Sequence, residues 1–293
     1  MINLDILCDP FSKEPLIQNG NFLVGNQKKY PIINGIPVLL IDINDQQREI
    51  QKITTNSTKE GFSWALKHWN DLKLNSLLGQ AEKGKEFLLN FGSGSPLEKE
   101  KMLQQGYEII SIDINAGYKG VDIICDGHFL PIKCKTFHTV TAFEVLEHLH
   151  EPWTAIKEIN RVLKINGKFV GSVAFLKEFH HSYFHMSHMG VKKLLEYGGF
   201  EVEVLYGGQN IFSRLVHNII PLGPEKISKS IYDRLSQLIM YLRKKFWQTK
   251  TGISYEKPMT GLIVNILFLL KDMKESRLHQ QCFLGQKKSK IFK

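Results

Sequence analysis

From residue 81 to residue 206, short apolar runs alternate with stretches whose apolar positions recur at helical spacing. The runs are Phe87 to Phe91, Tyr107 to Ile112, Val121 to Cys125, Thr139 to Phe143, Lys168 to Val173 and Glu201 to Leu205. Helical patterns cover Leu97 to Gln105, Pro152 to Leu163 and Met189 to Tyr197. Strands alternating with helices imply βαβ units, hence a parallel sheet covered on both faces. Right-handed crossovers make such a sheet doubly wound. The expected fold class is therefore α/β.

The flanking regions differ. Residues 1–42 read as short strands with turns. Residues 43–80 are polar, carry Phe62, Trp64 and Trp69, and read as a helical connector. Beyond residue 207, Ile227, Ile231, Leu235, Leu238 and Leu242 recur at helical spacing, with Lys229, Arg234, Lys244 and Lys245 elsewhere on the helix. That is an amphipathic pattern. Gly261 to Leu270 fits a strand or a buried helix, which periodicity alone does not separate.

Composition narrows the picture. A chain of 293 residues that is 43% apolar holds one full α/β domain and a small extra module. The longest apolar run, Leu262 to Leu270, is interrupted by Asn265 and falls short of the roughly 18 residues a spanning helix needs. The first ten residues lack the basic and apolar regions of a secretory signal. Cys8, Cys125, Cys134 and Cys282 show no paired spacing and read as reduced thiols of a cytoplasmic protein. The net charge of +9 is local. From Tyr241 to Lys293 there are 12 Lys and Arg against 3 Asp and Glu; the preceding 240 residues hold 26 of each sign. A basic segment of this kind is either a solvated tail or a contact for an anionic membrane surface or nucleic acid. The neutral remainder argues against nucleic acid, which needs clustered Lys and Arg.

The candidate chemistry falls at strand ends, where ligands bind in doubly wound sheets. Gly92 and Gly94 follow the first strand, where a sharp turn lets a ligand approach the backbone. Asp113 ends the second strand and could accept from both ribose hydroxyls. Asp126 ends the third and could accept from an adenine amino group. Glu144 ends the fourth and faces the same crevice. A dinucleotide fingerprint would place a third glycine where Leu97 stands, so a smaller ligand without a pyrophosphate fits better.

These residues resemble a known family. Leu88–Pro96 (LLNFGSGSP), Asp113, Cys125–Pro131 (CDGHFLP), Phe137–Leu149 (FHTVTAFEVLEHL) and Glu158–Gly167 (EINRVLKING) are similar to the class I S-adenosylmethionine-dependent methyltransferases. The resemblance is to the broad ubiquinone and menaquinone methyltransferase-like group and spans about residues 81–206. It implies a doubly wound, seven-stranded Rossmann-like sheet whose last strand, from Gly261 to Leu270, is antiparallel. It implies S-adenosyl-L-methionine as cofactor, held by Asn90, Gly92, Gly94, Asp113, Ile114, Asp126, Gly127, Phe143 and Glu144. His148 would border the acceptor. Asn90 stands where the family usually has Asp, and Ser95-Pro96 follow the second glycine.

Leu4–Pro10 (LDILCDP), Pro15-Leu16 and Tyr30–Leu40 (YPIINGIPVLL) resemble a small zinc-binding activator subunit of tRNA and protein methyltransferases. Its Cys-Pro-x-Cys knuckle is reduced to Cys8, with Phe11 at the second position. One ligand does not make a four-ligand site, so no zinc or other metal is expected. The expected organisation is an activator-like β module over 1–42 and a connector over 43–80. A methyltransferase domain follows over 81–275, with a helical insertion near 208–250 and C-terminal amphipathic helices. A basic tail covers 276–293.

Phe179–Gly190 (FHHSYFHMSHMG) is the candidate acceptor segment. His148, His181 and His185 are the catalytic candidates, as general base or acceptor contact. A metal pair at His181 and His185 and simple rim packing are the other readings. The leading expectation is methyl transfer by in-line displacement to a small-molecule or lipid- or glycan-linked acceptor, in a cytoplasmic protein that could touch a membrane through its basic segment. An RNA or protein methyltransferase, and a non-catalytic binding or scaffold protein that kept the fold and lost turnover, are the alternatives.

Overall fold

The computed structural model describes residues 3–25, 28–55, 74–174, 181–207 and 265–272, with Arg234 and Leu238 as single helical positions. The expected amphipathic helices near 208–250, the cluster of Phe62, Trp64 and Trp69, and the basic tail of 276–293 lie outside the described residues, apart from those two positions.

Four strands come first: β1 (Ile17–Asn19), β2 (Phe22–Val24), β3 (Lys29–Ile33) and β4 (Ile36–Leu39). Each pairs antiparallel with the next. Asn34 and Gly35, at φ of 51° and 80°, close β3 onto β4. Two successive left-handed residues are what a tight hairpin turn requires, and Asn-Gly accepts them at least cost. Helix α1 (Ile43–Thr54) follows, started by Asp42, whose side chain accepts the Asp45 N–H. Helix α2 is Leu74–Leu78.

The βαβ region then runs β5 (Phe87–Phe91), α3 (Pro96–Leu103), β6 (Glu108–Asp113), β7 (Ile123–Cys125), β8 (Phe137–Phe143), α4 (Pro152–Val162), β9 (Leu163–Ala174), α5 (His188–Tyr197), β10 (Phe200–Gly207) and β11 (Asn265–Asp272). Helices α3 and α4 both begin at a proline, whose missing N–H costs nothing in a first turn. Helix α4 turns Ala155, Ile156, Ile159 and Val162 inward, all fully buried. Helix α5 starts on Ser187, which accepts the Gly190 N–H at 3.1 Å.

Among the described residues the sheet order is β1-β2-β3-β4-β7-β6-β5-β8-β9-β11-β10. Strands β7, β6, β5, β8 and β9 are parallel, and β11 runs antiparallel between β9 and β10. The expected seven strands correspond to β5 through β11. Among the described residues the sheet has eleven strands rather than seven, because β4 pairs parallel with β7, Val38 opposite Ile124 and Leu39 opposite Cys125. That pairing carries the N-terminal hairpins onto the sheet edge. Two boundaries also moved. Strand β9 begins at Leu163, straight after α4, with Asn166 left-handed at φ 62°. Of the segment Gly261 to Leu270, the described part from Asn265 belongs to a strand, Asn265–Asp272, and not to a buried helix.

Leu89, Phe137, Val140, Ala142, Phe169 and Val173, fully buried with the inner face of α4, form the main core. Cys8 and Cys125 are buried free thiols. Cys134 is disulfide-bonded, which corrects the expectation of four reduced thiols. Among the described residues no helix is long and apolar enough to cross a membrane.

Candidate cofactor and acceptor site

The direction of strand addition reverses between β5 and β8, which makes their carboxyl ends the switch point of the sheet. The glycine turn sits there. Gly92 is left-handed at φ 72°, and a Cβ on it would lie 2.5 Å from Val145 Cγ2. Only glycine meets both conditions. The Gly92 and Ser93 N–H groups donate to the Ile112 carbonyl at 2.9 and 3.0 Å, holding the turn against the end of β6.

Asp113 ends β6 and faces that turn. Burial raises its carboxyl from 3.8 to about 6, against the backbone N–H groups of Asn115, Gly94 and Ile114, which favour the carboxylate. The charge on Glu49 adds to the rise. Gly94 and Asp113 are thus brought together by a backbone hydrogen bond. Ile114 beside them is 49% exposed, an uncovered apolar side chain at the strand end.

Asp126 follows β7. Its Oδ1 accepts the His128 backbone N–H at 2.9 Å and meets the ring Nδ1 at 2.6 Å. Burial by itself would raise this carboxyl; the hydrogen bonds from His128 outweigh it and hold it below the ordinary aspartate value. The other ring nitrogen, His128 Nε2, accepts the Glu151 N–H at 3.3 Å. The ring is therefore the Nδ1–H tautomer, and Asp126 presents a fixed carboxylate. Gly127 has a packing reason as well: a Cβ there would lie 2.4 Å from Phe91 Cζ.

The remaining expected contacts divide. Asn90 lies in the middle of the sheet, 1% exposed, beside Ser111 on β6 and Thr141 on β8. Thr141 Oγ1 donates to Asn90 Oδ1 at 3.3 Å. Phe143 packs in a cluster with Leu74, Leu78, Met102 and Val170. Glu144 is left-handed at φ 57° and accepts the Ser172 hydroxyl at 3.0 Å. Such a backbone is uncommon outside glycine, and it points to a constrained turn at this strand end.

On the acceptor side, His148 Nδ1 lies 3.1 Å from the His181 carbonyl. A carbonyl only accepts, so Nδ1 carries the proton and the neutral ring's lone pair is on Nε2. His181 and His185 are both exposed. Among the described residues no group of His, Cys, Asp and Glu is arranged to hold a metal ion. An aromatic row, His128 to His150 at 4.2 Å and His150 to Tyr183 at 6.1 Å between ring centres, links the Asp126 loop to this segment.

Reading by strand ends missed Glu147. Its side chain is fully buried, Oε1 accepts the Ala174 N–H at 2.9 Å, and its carbonyl accepts the N–H groups of Tyr183 and Phe184. The signal was present in Phe143–Leu149, since a carboxylate inside an apolar run must find buried donors.

The residues fit an adenosyl cofactor with an amino-acid end. Asn90 Nδ2 and Ser93 Oγ, at and just before the glycine turn, are buried without a hydrogen-bond partner among the described residues. Buried polar atoms left unmatched beside an open backbone turn mark a place for a polar ligand.

Residues 89–171 match the family model described as a methyltransferase domain. That match supports S-adenosylmethionine-dependent methyl transfer, with S-adenosylmethionine as the cofactor. The chain is similar to a putative methyltransferase from Bacillus halodurans, at 16% identity over 70% of this chain and 100% of that one, with a TM-score of 0.46. It is similar to a SAM-dependent methyltransferase from Archaeoglobus fulgidus, at 16% identity over 70% of this chain and 94% of that one, with a TM-score of 0.45. A Haemonchus contortus phosphoethanolamine N-methyltransferase 2 in complex with S-adenosylhomocysteine aligns at 15% identity over 70% of this chain and 53% of that one, with a TM-score of 0.45. No curated protein matches the sequence.

Proposed function

We propose that this protein transfers a methyl group from S-adenosylmethionine to a small-molecule or lipid- or glycan-linked acceptor. The observation that carries the reading is the approach of Gly94 and Asp113 at the switch point, with the Asp126 carboxylate fixed on the next strand end. S-adenosylmethionine, when bound, supplies a methyl already activated by its sulfonium. The chain's own residues have three tasks. Asp113 would accept from ribose hydroxyls, and Asp126 from the adenine amino group. Asn90 and Ser93 have donor capacity for the amino-acid end. His148 Nε2 would take a proton from an acceptor that must lose one, and the exposed His181 and His185 would be the other acceptor contacts. Alignment of the acceptor and exclusion of water then dominate the rate. The basic C-terminal segment would bring the protein to an anionic membrane surface where the acceptor is lipid-linked.

Asn90 favours one further reading. A neutral, buried side chain stands where the resemblance leads one to expect the carboxylate that orients the cofactor's ammonium, which suits a binding or scaffold protein that kept the fold and lost turnover. Calorimetry with S-adenosylmethionine and S-adenosylhomocysteine tests the proposal. Binding of both that is lost in Asp113→Ala supports it; no binding of either overturns it. Methyl transfer to lipid or glycan extracts, followed with labelled methyl donor, separates an enzyme from a binding protein.

A further inference from the structure

Helix α1 reaches across from the N-terminal region to the loop that follows β6. Glu49 is 2% exposed on this helix. Its Oε2 accepts the Ala116 backbone N–H at 2.8 Å, across 67 positions of sequence. Lys52, one turn on, donates to both Glu49 oxygens at 2.8 and 3.0 Å and to Asn115 Oδ1 at 2.8 Å. Asn115 Oδ1 also accepts the Gly117 N–H at 2.9 Å, while the Asn115 N–H donates to Asp113 at 2.9 Å. Three successive backbone N–H groups after Asp113 are therefore held, and two of the three holds depend on α1. Within this loop Ala116 is buried and Tyr118 packs partly buried against the cluster of Val38, Leu40 and Ile53, while Ile114 stays exposed.

The same region grips the next loop. Lys13 Nζ donates to the Leu130 carbonyl at 3.0 Å and to Glu158 at 2.7 Å. The Cys8 N–H donates to the Pro131 carbonyl at 3.0 Å. Both loops that carry the candidate ribose and adenine acceptors are thus tied to residues before 55.

We infer that Glu49 and Lys52 are positioning residues for cofactor binding, and that the N-terminal region is a working part of the cofactor site. The inference rests on the proposed function, since it takes the loop after Asp113 as the ribose-holding loop. The physical reason is pre-organisation: a loop already fixed in its binding conformation loses less freedom when the ligand arrives. Glu49 supplies a buried acceptor for Ala116, and Lys52 neutralises it and secures Asn115.

The test is calorimetry with S-adenosylhomocysteine on the full chain, at a temperature where circular dichroism shows each variant folded. Glu49→Ala is expected to weaken binding about tenfold or more, the equivalent of one lost hydrogen bond to a charged acceptor. Glu49→Gln keeps an acceptor for the Ala116 N–H and should restore most of the affinity. Lys52→Met is expected to weaken binding severalfold, and Gln47→Ala, exposed on the same helix, should match the wild type. Wild-type affinity in Glu49→Ala overturns the inference. If that variant does not fold, wild-type affinity in Lys52→Met overturns it instead. A wild-type chain that binds no S-adenosylhomocysteine defeats the functional proposal itself, which is a different result.

Discussion

Glu147 and Ala174 are joined by a 2.9 Å hydrogen bond from the end of β9 to a fully buried carboxylate. The Glu147 carbonyl accepts from Tyr183 and Phe184. One residue therefore secures the chain before the expected acceptor segment, at Ala174, and within it, at Tyr183 and Phe184. Glu147→Ala leaves the buried Ala174 N–H without its acceptor and should cost about 1–3 kcal/mol. Glu147→Gln keeps an acceptor oxygen and should cost less. Urea unfolding curves measure both; equal stability of Glu147→Ala and wild type removes this role.

Gly92→Ala combines a left-handed backbone at φ 72° with a Cβ 2.5 Å from Val145 Cγ2. The backbone strain alone is about 1 kcal/mol or more, and Val145 must move as well. Thermal unfolding should show a clear loss of stability. S-adenosylhomocysteine binding should weaken at least tenfold, because the turn shifts. Gly92→Ala combined with Val145→Ala should recover part of the stability and little of the binding.

Burial raises Asp113 from 3.8 to about 6, so its proton is bound more tightly in the folded chain than in the unfolded one. The stability this contributes is present below the unfolded value and is lost as pH rises through about 6. Cofactor binding should run the opposite way, because ribose hydroxyls need the carboxylate. Affinity for S-adenosylhomocysteine should be level above pH 7 and fall toward about tenfold per pH unit below 6. Asp113→Asn should bind weakly and lose that dependence. A profile flat from pH 5 to pH 8 in the wild type assigns the ribose to another group.

Lys13, Glu158 and Arg161 form a partly buried ion network between the N-terminal region and α4. Arg161 donates to Glu158 at 2.7 Å and to the carbonyls of Ile132 and Leu130 at 2.6 and 3.0 Å. Arg161 and Lys13 flank Glu158, and together they hold its carboxyl below the ordinary glutamate value although burial alone would raise it. Glu158→Gln leaves two cations without their anion and should cost about 1–3 kcal/mol. Chemical denaturation checks this, and a loss under 1 kcal/mol would show the network to be solvent-screened.

The local pattern in the chain was enough for the βαβ region. Alternating apolar runs set the strands, prolines and glycines set the helix ends, and Asp113 and Asp126 stood where strands must stop. Those features depend on neighbours a few residues apart, so they are written in the sequence itself. The placement of β4 beside β7 was not legible, because any exposed strand edge offers the same backbone groups to any partner. Nor were the partners of Glu49 and Glu147. A buried carboxylate announces that it needs donors, but the donors at Ala116 and Ala174 are backbone groups, identical at every position. Only the folded chain selects which N–H groups come within reach, and that selection is what ties the N-terminal region and the acceptor segment to the site.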